Sequence, residues 1–400
     1  MNPNLKKLFS ISQKPERNII GLMSGTSLDG LDVALCKISG SGLETKISIE
    51  AFETVDYNEG IKLEIKKVFS RKEVDLQHLC LLNAWIGTLH GEMINNCLKK
   101  WNKNATEIDI IASHGQTIFH APKSLHGQEK FPNATLQIGD GDHITVKTGI
   151  ITLSDFRQKH IAAGGEGAPL AVYGDYILFS KAGEDRIMLN IGGIANFTYL
   201  SGDMDINKMF STDVGPGNTL IDAFIQENFN NKSFDKNGEV AASGNVNFTL
   251  LKSLKEHLFF EESFSKTTGP ELFSKDYVRQ AQQKSSTENI SLPDLIATLT
   301  RFSAEGIADA VKSCFSEHEK PVLYLSGGGM HNPVLFKMIS ELLPDYSMKN
   351  TDRLGILPDA KEAVLFAILA NEAISGGNTR IGNSRQGIPD ISMGKISFPD

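Results

Sequence analysis

The sequence lacks any run of about 18 uninterrupted apolar residues, the length that a membrane-spanning helix needs. The first residues, MNPNLKKLFSISQKPERN, contain no apolar segment typical of a secretory signal. An excess of basic charge is also missing, because 40 lysine and arginine residues stand against 48 aspartate and glutamate residues, a formal net charge of −8. This balance argues against nucleic acid and anionic membranes as bulk partners. We expect a cytoplasmic protein that acts on small molecules.

Cysteine is scarce, and the chain has no C-x-x-C pair. The scattered positions argue against a disulfide framework and a structural zinc site. The four cysteines are Cys36, Cys80, Cys97 and Cys314. A phosphate-binding loop of the G-x-x-x-x-G-K-[ST] type is absent from the sequence as well. A nucleotide would therefore have to be held by another kind of glycine-rich turn.

Short apolar runs that end in polar, glycine-containing turns recur in both halves of the chain, with amphipathic stretches between them. This alternation predicts an α/β protein. The first 17 residues show no clear periodicity and are predicted to form a polar tail. We expect one α/β domain over residues 18–180 and a second over residues 181–400, whose last segment could pack back on the first. A cleft between two domains is a common place for a ligand.

The first glycine-rich turn follows an apolar run and combines residue types that bind phosphate. Glycine lets the backbone approach a ligand closely, and serine and threonine hydroxyls donate to phosphate oxygens. Asp29 and Asp32 could hold a hydrated Mg²⁺ ion, a hard cation that prefers oxygen ligands. The alternative is an ordinary hairpin turn. The candidate cofactor-binding residues here are Gly25, Thr26, Ser27, Leu28, Asp29, Gly30, Leu31 and Asp32.

Two further glycine-rich turns follow apolar runs in the second half. Gly192 and Gly193, in NIGGIANF, could bring backbone N–H groups to a phosphate. Gly327, Gly328 and Gly329, in LSGGGMHN, leave an open backbone surface on which adenosine could lie, beside a helix start that favours anions. Either turn could instead be a simple connection.

An acidic residue, Asp213, ends a predicted strand before the rigid turn GPGN. A carboxylate there could take a proton from an attacking water or hydroxyl. The alternative is a carboxylate that caps the following helix. Glycine turns combined with an acidic residue suit phosphoryl transfer, which depends mostly on positioning and charge neutralisation.

Sugar recognition is predicted for two polar segments that follow strands, SHGQT and SDFRQ. Arg157 could make a bidentate contact with a carboxylate, and His114 and Gln116 could bind sugar hydroxyls. The alternatives are a histidine packed in the interior and an arginine paired with Asp155 or another carboxylate. The candidate substrate-binding residues are His114, Gln116, Asp155 and Arg157.

Seven strings resemble, in order and spacing, those of the anhydro-N-acetylmuramic acid kinases. They are GLMSGTSLDGLD, SHGQTIFH, LQIGDG, DFRQKHIAAGGEGAPL, LNIGGIANFT, DVGPGNTLIDAF and SGGGMHNPVL. The resemblance implies the two-domain α/β fold of sugar kinases, actin and Hsp70, with ATP bound in an interdomain cleft. It also implies a homodimer.

The activity that the resemblance implies is phosphorylation of O6 of 1,6-anhydro-N-acetylmuramic acid by ATP, with hydrolysis of the anhydro bridge. The products would be N-acetylmuramic acid 6-phosphate and ADP, in the recycling of cell-wall sugars. Because O6 is bonded to C1 and has no proton, a water must attack C1, and this water needs a base. Asp213 matches the family's base, and Glu362, in AKEAVLFA, matches an acidic residue that assists around that water. Residues 25–32 match the phosphate-binding turn, and residues 327–329 match the adenosine-side loop.

Two positions depart from the family's strings: Val214 stands where threonine is expected, and Glu166 stands where glutamine is frequent. A negative charge at Glu166 could repel the lactyl carboxylate of the sugar or pair with Arg157. Alternative functions are a kinase for another amino sugar with an intact hydroxyl, a phosphatase of the same fold, and a non-catalytic, actin-like sensor of ATP and sugar.

Overall fold

The computed structural model describes residues 1–25, 28–230, 232–269, 272–315, 319–377, 381–382 and 388–399. The chain divides into two compact units, Met1–Phe179 with Gly355–Asp400, and Ser180–Leu354. The sequence prediction assigned residues 181–400 to a second domain, with a last segment that could pack back on the first. In the structure the chain returns to the first unit at Gly355.

Strands and helices alternate through both units, which confirms the predicted α/β class. The strands are β1 (Glu16–Ser24), β2 (Gly30–Ser39), β3 (Lys46–Asp56), β4 (Ile110–Ala121), β5 (Ala134–Ile138), β6 (Thr152–Ser154), β7 (Arg186–Ile191), β8 (Ile194–Leu200), β9 (Phe210–Pro216), β10 (Val322–Ser326), β11 (Met348–Asn350) and β12 (Lys395–Ser397).

The helices connect these strands and cover the sheets. The α-helices are α1 (Pro3–Ser12), α2 (Glu59–Lys66), α3 (Leu76–Lys100), α4 (Lys123–His126), α5 (Gly141–Thr148), α6 (Phe156–Ala162), α7 (Ala171–Phe179), α8 (Thr219–Asn228), α9 (Glu239–Ala242), α10 (Phe248–Lys255), α11 (Lys275–Ser285), α12 (Leu292–Cys314), α13 (Pro333–Leu342) and α14 (Lys361–Ser375). The 3-10 helices are Gly42–Glu44, Ala105–Glu107, Ile206–Lys208, Lys236–Gly238, Leu258–Phe260, Gly328–His331, Thr351–Leu354 and Pro358–Ala360.

The sheets of the two units share one topology. In the first unit the strand order is β12-β6-β4-β1-β2-β3, and β5 pairs with β4. In the second unit the order is β11-β10-β7-β8-β9. In each sheet the first three strands form antiparallel pairs, and the next strands pair in parallel with the first. The chain is therefore built from two related α/β units, as the resemblance implied, and the interdomain cleft stays a prediction.

Helix α14 lies close against β1 because β1 has a glycine at the crossing. A methyl group at Gly21 would lie 1.9 Å from the carbonyl oxygen of Ala363. No larger side chain fits between these two backbones, so glycine is required for the close approach. The contact fixes the first turn of α14, which carries Glu362, against the central strand of the sheet.

The predicted polar tail over residues 1–17 is wrong, because α1 and the beginning of β1 lie there. Asn2 caps α1 by accepting from the backbone N–H groups of Asn4 and Leu5, and Pro3 occupies the first turn. Both are favourable at a helix start. Ile11 is the one apolar residue of α1 that is buried, so the hydrophobic periodicity was too weak to predict the helix.

The SHGQT motif also differs from its predicted position, because it lies inside β4 and not in a turn after it. β4 continues to Ala121 and pairs with β5 as an antiparallel hairpin. Within the part of the chain that the structure describes, no helix is long and apolar enough to cross a membrane.

Candidate active site

The turn after β1 begins at Gly25, and its described residues are held by backbone contacts on both sides. The N–H of Leu28 donates to the carbonyl of Gly25 at 3.4 Å, and the N–H of Tyr57 donates to the carbonyl of Asp29 at 2.9 Å. Leu28 has a positive φ of 59° and a buried side chain, which anchors the turn in the core of the first unit. Thr26 and Ser27, two of the predicted cofactor-binding residues, lie outside the described residues.

The side chain of Gln116 forms hydrogen bonds with the residues at the start of this turn. Its Nε2 donates to the carbonyl of Gly25 at 3.0 Å, and its Oε1 accepts from the hydroxyl of Ser24. The side chain is completely buried, so its amide groups are used inside the protein. The contact with sugar hydroxyls that the sequence suggested for Gln116 stays a prediction.

Acidic side chains gather near the far end of the turn. Asp29 is exposed and Asp32 is half-buried, and Asp32 accepts from the hydroxyl of Thr54 at 2.6 Å. Burial raises the pKa of Asp32, and the nearby charges of Asp359 and Asp29 raise it further, against the hydrogen bond from Thr54. Asp359 was missed in the sequence, although its position three residues before Glu362 placed a second carboxylate near that helix start.

A divalent cation fits this donor set. Mg²⁺ usually binds one or two carboxylates and fills its remaining positions with water and phosphate oxygens. In the described ranges, no group of three or more histidine, cysteine, aspartate or glutamate side chains is arranged to hold a metal by itself. Asp29 and Asp32 could therefore hold a cation only together with further oxygens from water or a ligand; the hydrated Mg²⁺ ion predicted for these two residues stays a prediction.

Arg157 and His114, both predicted to bind the sugar, contact each other. Nε of Arg157 donates to Nε2 of His114 at 2.9 Å, and Nη1 donates to the carbonyl of Gly167 at 2.6 Å. Burial and the charge of Arg157 hold the pKa of His114 well below its usual value, so its imidazole is neutral. Burial also lowers the pKa of Arg157 to about 10, opposed by the charge of Glu362. The histidine orients the guanidinium, and Phe366 packs against the imidazole ring.

Asp155 does not pair with Arg157. It begins α6 in the left-handed conformation, with φ of 56°, and its carboxylate forms an ion pair with Lys395 near the C-terminus. Glu166 accepts a weak hydrogen bond from the hydroxyl of Ser124 at 3.4 Å. The pairing of Arg157 with an acidic neighbour, an alternative left open by the sequence, is thus replaced by contacts with a neutral histidine and a carbonyl.

Glu362 lies in the first turn of α14 with an exposed side chain. The surrounding protein still restricts its hydration, which raises its pKa, while the charges of Arg157 and Lys361 act in the opposite direction. Lys361 forms an ion pair at 2.8 Å with the buried carboxylate of Asp175 on α7. Arg157, which is predicted to bind the sugar, and Glu362, the predicted assisting acid, lie in the same unit, and the charge of each shifts the pKa of the other.

Asp213 lies in β9 of the second unit with a half-buried side chain. Its Oδ2 accepts a hydrogen bond at 2.8 Å from the backbone N–H of Thr268, and its own N–H donates to the carbonyl of Lys266 at 2.9 Å. The segment around Lys266 thus fixes both the backbone and the carboxylate of Asp213.

Lys266 was not singled out in the sequence. Its Nζ donates to the carbonyl of Phe259 at 2.7 Å and lies over three aromatic rings, those of Phe259, Phe260 and Phe264. The side chain is almost completely buried, and this burial lowers its pKa. In the sequence, Lys266 begins the string KTTG, between aromatic and glycine neighbours. The contact of this string with Asp213 is made by Thr268, 55 positions away, and could not be read from the local pattern.

Gly192 and Gly193 form the turn between β7 and β8. Their carbonyls accept from the backbone N–H groups that precede and begin α8, namely Asn218 to Gly192 at 2.9 Å and Gly217 to Gly193 at 2.8 Å. Gly193 is exposed. The predicted contact of these two glycines with phosphate stays a prediction.

The three glycines after β10 have different surroundings. Gly327 has a φ of +83°, and a methyl group there would lie 2.6 Å from Oδ1 of Asn190. A methyl group at Gly329 would lie 2.3 Å from Cγ2 of Ile191, whereas at Gly328 it would meet nothing within 4 Å. Packing against β7 therefore explains two of the glycines, and the third, Gly328, is exposed. The predicted contact of this loop with adenosine stays a prediction.

Comparison with known proteins shows the family. The family described as anhydro-N-acetylmuramic acid kinase matches residues 17–392. An anhydro-N-acetylmuramic acid kinase of Pseudoalteromonas atlantica is 57% identical over 401 residues, covering 100% of both chains. One from Caldanaerobacter subterraneus subsp. tengcongensis is 39% identical and covers 98% of this chain and 100% of its own.

Among solved structures, the activator of 2-hydroxyisocaproyl-CoA dehydratase from Clostridium difficile with bound ADPNP has a TM-score of 0.42 and 11% identity, covering 94% of this chain and 99% of its own. Hexokinase from Schistosoma mansoni complexed with glucose has a TM-score of 0.36 and 8% identity, covering 90% and 86%. The matching family and the two full-length relatives lead to one conclusion. The chain belongs to the anhydro-N-acetylmuramic acid kinase family.

Proposed function

We propose that this protein transfers the γ-phosphoryl group of ATP to O6 of 1,6-anhydro-N-acetylmuramic acid and opens the anhydro bridge in the same reaction. The products are N-acetylmuramic acid 6-phosphate and ADP, which places the enzyme in the recycling of cell-wall sugars. The observation that carries the proposal is the family match over residues 17–392. The contacts of the candidate residues support it.

The phosphates of ATP bind at the turn formed by residues 25–32, and the adenosine side binds at the loop of residues 327–329, with Gly192 and Gly193 as a further phosphate contact. Backbone N–H groups in such turns favour anions. Mg²⁺, held through Asp29 and Asp32, neutralises charge on the phosphates. The raised pKa of Asp32, which crowding by Asp359 and Asp29 increases, is consistent with a place that a cation stabilises.

The sugar binds beside Arg157. Nε and Nη1 of Arg157 each donate one hydrogen bond, to His114 and to Gly167. The remaining N–H groups at the Nη1–Nη2 end of the guanidinium are proposed to bind the lactyl carboxylate. His114 and Asp155 orient this region, His114 through the arginine and Asp155 through its ion pair with Lys395. Gln116 belongs to the same strand as His114 and supports the neighbouring phosphate turn.

Asp213 acts as the general base. It takes a proton from a water whose oxygen bonds to C1, the C1–O6 bond breaks, and O6 takes the phosphoryl group while ADP leaves. The N–H of Thr268 holds the carboxylate in one orientation for this transfer. Glu362, with its raised pKa, binds the same water or the sugar and holds a proton near it.

The decisive experiment is an assay of ADP release with 1,6-anhydro-N-acetylmuramic acid, followed by mass analysis of the sugar product. We expect one ADP for each product, and a product heavier by one water and one phosphoryl group. Preferred turnover of reducing N-acetylmuramic acid would indicate a kinase for an amino sugar with an intact hydroxyl. Sugar binding without ADP release would indicate a sensor, and phosphate release without any sugar would indicate a phosphatase.

We also propose that the enzyme works in the cytoplasm as a homodimer. The family resemblance suggests the dimer. Light scattering during size-exclusion chromatography measures the mass, and a species of one chain would contradict the dimer.

A further inference from the structure

Four buried side chains of the first unit form one continuous chain of hydrogen bonds. The hydroxyl of Ser24 lies 2.5 Å from Oε1 of Gln116 and 2.9 Å from the hydroxyl of Tyr57. The hydroxyl of Tyr57 lies 2.6 Å from Nε2 of His90. None of the four side chains belongs to a residue more than 2% exposed, and they come from β1, β4, α3 and the end of β3.

The Gln116 end of the chain has a fixed direction. Nε2 of Gln116 faces the carbonyls of Gly25 at 3.0 Å and Thr117 at 3.1 Å. Both carbonyls can only accept, so the amide NH₂ must point to them and Oε1 must point to Ser24. Because Oε1 carries no proton, the single hydroxyl proton of Ser24 is used in this contact.

The direction then passes along the chain to His90. With its proton on Gln116, Ser24 must accept from Tyr57, which uses the single proton of the phenol. The phenol oxygen must in turn accept, so Nε2 of His90 carries the proton. Burial lowers the pKa of His90 to about 3, so the ring is neutral and Nδ1 has a lone pair. This nitrogen is buried and has no hydrogen-bond partner among the described residues.

The chain is attached to both described ends of the phosphate turn. Gln116 holds the carbonyl of Gly25, and the backbone N–H of Tyr57 holds the carbonyl of Asp29 at 2.9 Å. We propose that Tyr57 and His90 are positioning residues, which fix the turn that binds the phosphates of ATP although neither touches the nucleotide. This inference rests on the proposed role of residues 25–32 and identifies the side chains on which that role depends.

A purely structural role would not require this chemistry. Apart from Ser24 and His90, which its hydroxyl contacts, Tyr57 belongs to an apolar core cluster that includes Leu22, Leu28 and Ile86, so an apolar side chain of similar size could fill the same volume. Within the chain each contact supplies a buried donor with an acceptor, and one missing donor leaves the next group unsatisfied. The network therefore fixes the Gln116 amide that holds the carbonyl of Gly25, where the turn begins.

The test compares ADP binding to the full-length protein by calorimetry for Tyr57→Phe, His90→Leu and His90→Gln. Tyr57→Phe keeps the ring and the backbone contact with Asp29 but removes the donor to Ser24. We expect Tyr57→Phe and His90→Leu to weaken ADP binding about 3- to 10-fold, the usual effect of one lost hydrogen bond. His90→Gln, which keeps an N–H donor, should recover much of this loss. The KM for the sugar should not change.

Ile94→Ala is the matched control, because Ile94 is completely buried on the same helix and belongs to the apolar core cluster of Tyr57. It should lower the melting temperature and leave ADP affinity unchanged. Wild-type ADP affinity in both Tyr57→Phe and His90→Leu would overturn the positioning role, while turnover of the anhydro sugar would still support the proposed function. Conversely, ADP binding that responds to these variants without turnover would contradict only the proposed function.

A second measurement uses the wild-type protein and so does not depend on the folding of variants. The ¹⁵N spectrum of histidine-labelled protein should show His90 with a protonated Nε2 and a bare Nδ1, unchanged across the neutral pH range. The signal is assigned by its absence in His90→Gln. A His90 signal with the proton on Nδ1 would break the deduced chain and the inference with it.

Discussion

The five strands of the second sheet have the same order as β6-β4-β1-β2-β3 of the first, yet the turn between the first two strands of each sheet is held in different ways. In the first unit, buried side chains that end at Gln116 hold the turn between β1 and β2. In the second unit, backbone groups hold the turn between β7 and β8, and Ser303 of α12 donates to the carbonyl of Gly217 at 2.7 Å. In the first unit a buried side-chain network therefore adds to the backbone contacts of the turn, whereas in the second unit backbone groups supply most of the contacts.

The comparison extends to the third strand of each sheet, where the candidate chemistry is most unequal. β9 carries Asp213, oriented by Thr268, whereas β3 carries Thr54, which donates to Asp32 on the neighbouring strand. A base is thus proposed in one unit and a cation-binding pair in the other. If each unit contributes the part proposed for it, variants in the two units should fail in different assays.

Asp213→Asn should produce the largest effect. Asparagine keeps an oxygen that can accept from Thr268 but cannot take the proton, so we expect turnover to fall by roughly 10² or more, the scale of a general base. ADP binding, which is proposed to depend on the glycine turns and not on Asp213, should remain. Asp203→Asn, at an exposed ion pair with Lys208, is the control and should keep full turnover. Near wild-type turnover of Asp213→Asn would remove Asp213 from the mechanism.

Gly217→Ala tests the backbone-held turn. A methyl group there would lie 2.2 Å from the carbonyl oxygen of Gly192, so the turn or α8 must move. We expect a loss of about 1–3 kcal/mol in the free energy of unfolding, typical of overpacking, measured by urea denaturation. Gly193→Ala is matched, because its methyl would lie 3.7 Å from the nearest atom. Equal stability of the two variants would show that the close contact is not needed.

The sequence predicted the strands better than the contacts between them. The apolar run VLYLS, for example, was predicted as a strand and is β10 itself. Local patterns suffice there because burial on both faces leaves a continuous apolar run. The candidate residues of the phosphate turn were also recognisable, since glycine and hydroxyl side chains cluster within a few positions.

The residues that support the site were not predictable in the same way. Tyr57 and His90 lie 33 positions apart, and Thr268 lies 55 positions from Asp213. Each looks like an ordinary core or loop residue in its local context, and only the tertiary fold supplies its partner. SHGQT was misplaced for the same reason, because buried polar residues inside a strand resemble a turn until their partners are known.

Arg157→Lys should have a smaller effect than Asp213→Asn and should act on the sugar alone. Lysine cannot donate to His114 and Gly167 and also present a planar end to a carboxylate. We expect the KM for the sugar to rise roughly tenfold, as for a lost charge-assisted hydrogen bond, with the KM for ATP unchanged. Arg279→Lys, at an exposed pair with Glu227, should change neither constant. An unchanged sugar KM in Arg157→Lys would contradict the carboxylate contact.

The smallest effects should come from two carboxyl groups with raised pKa, one in each unit. Burial and the charge of Asp235 raise the pKa of Asp222 to about 7, and the restricted hydration of the Glu362 carboxyl raises its pKa. A folded-state pKa above the unfolded value means that the folded protein binds more protons between the two, so stability falls as pH rises through that window. Above it, the penalty of ionising the group is complete.

In Asp222→Asn and in Glu362→Gln, the free energy of unfolding should therefore decrease less as the pH rises. For Asp222→Asn the full difference from the wild type should be reached only above a pH of about 7. Urea midpoints measured at acidic and at alkaline pH check this sign. Only Glu362→Gln should also lower turnover, because Glu362 alone of the two is proposed to meet the reacting water. Loss of turnover in Asp222→Asn would contradict a purely structural role of Asp222. Full turnover in Glu362→Gln would contradict the proposed contact of Glu362 with the reacting water.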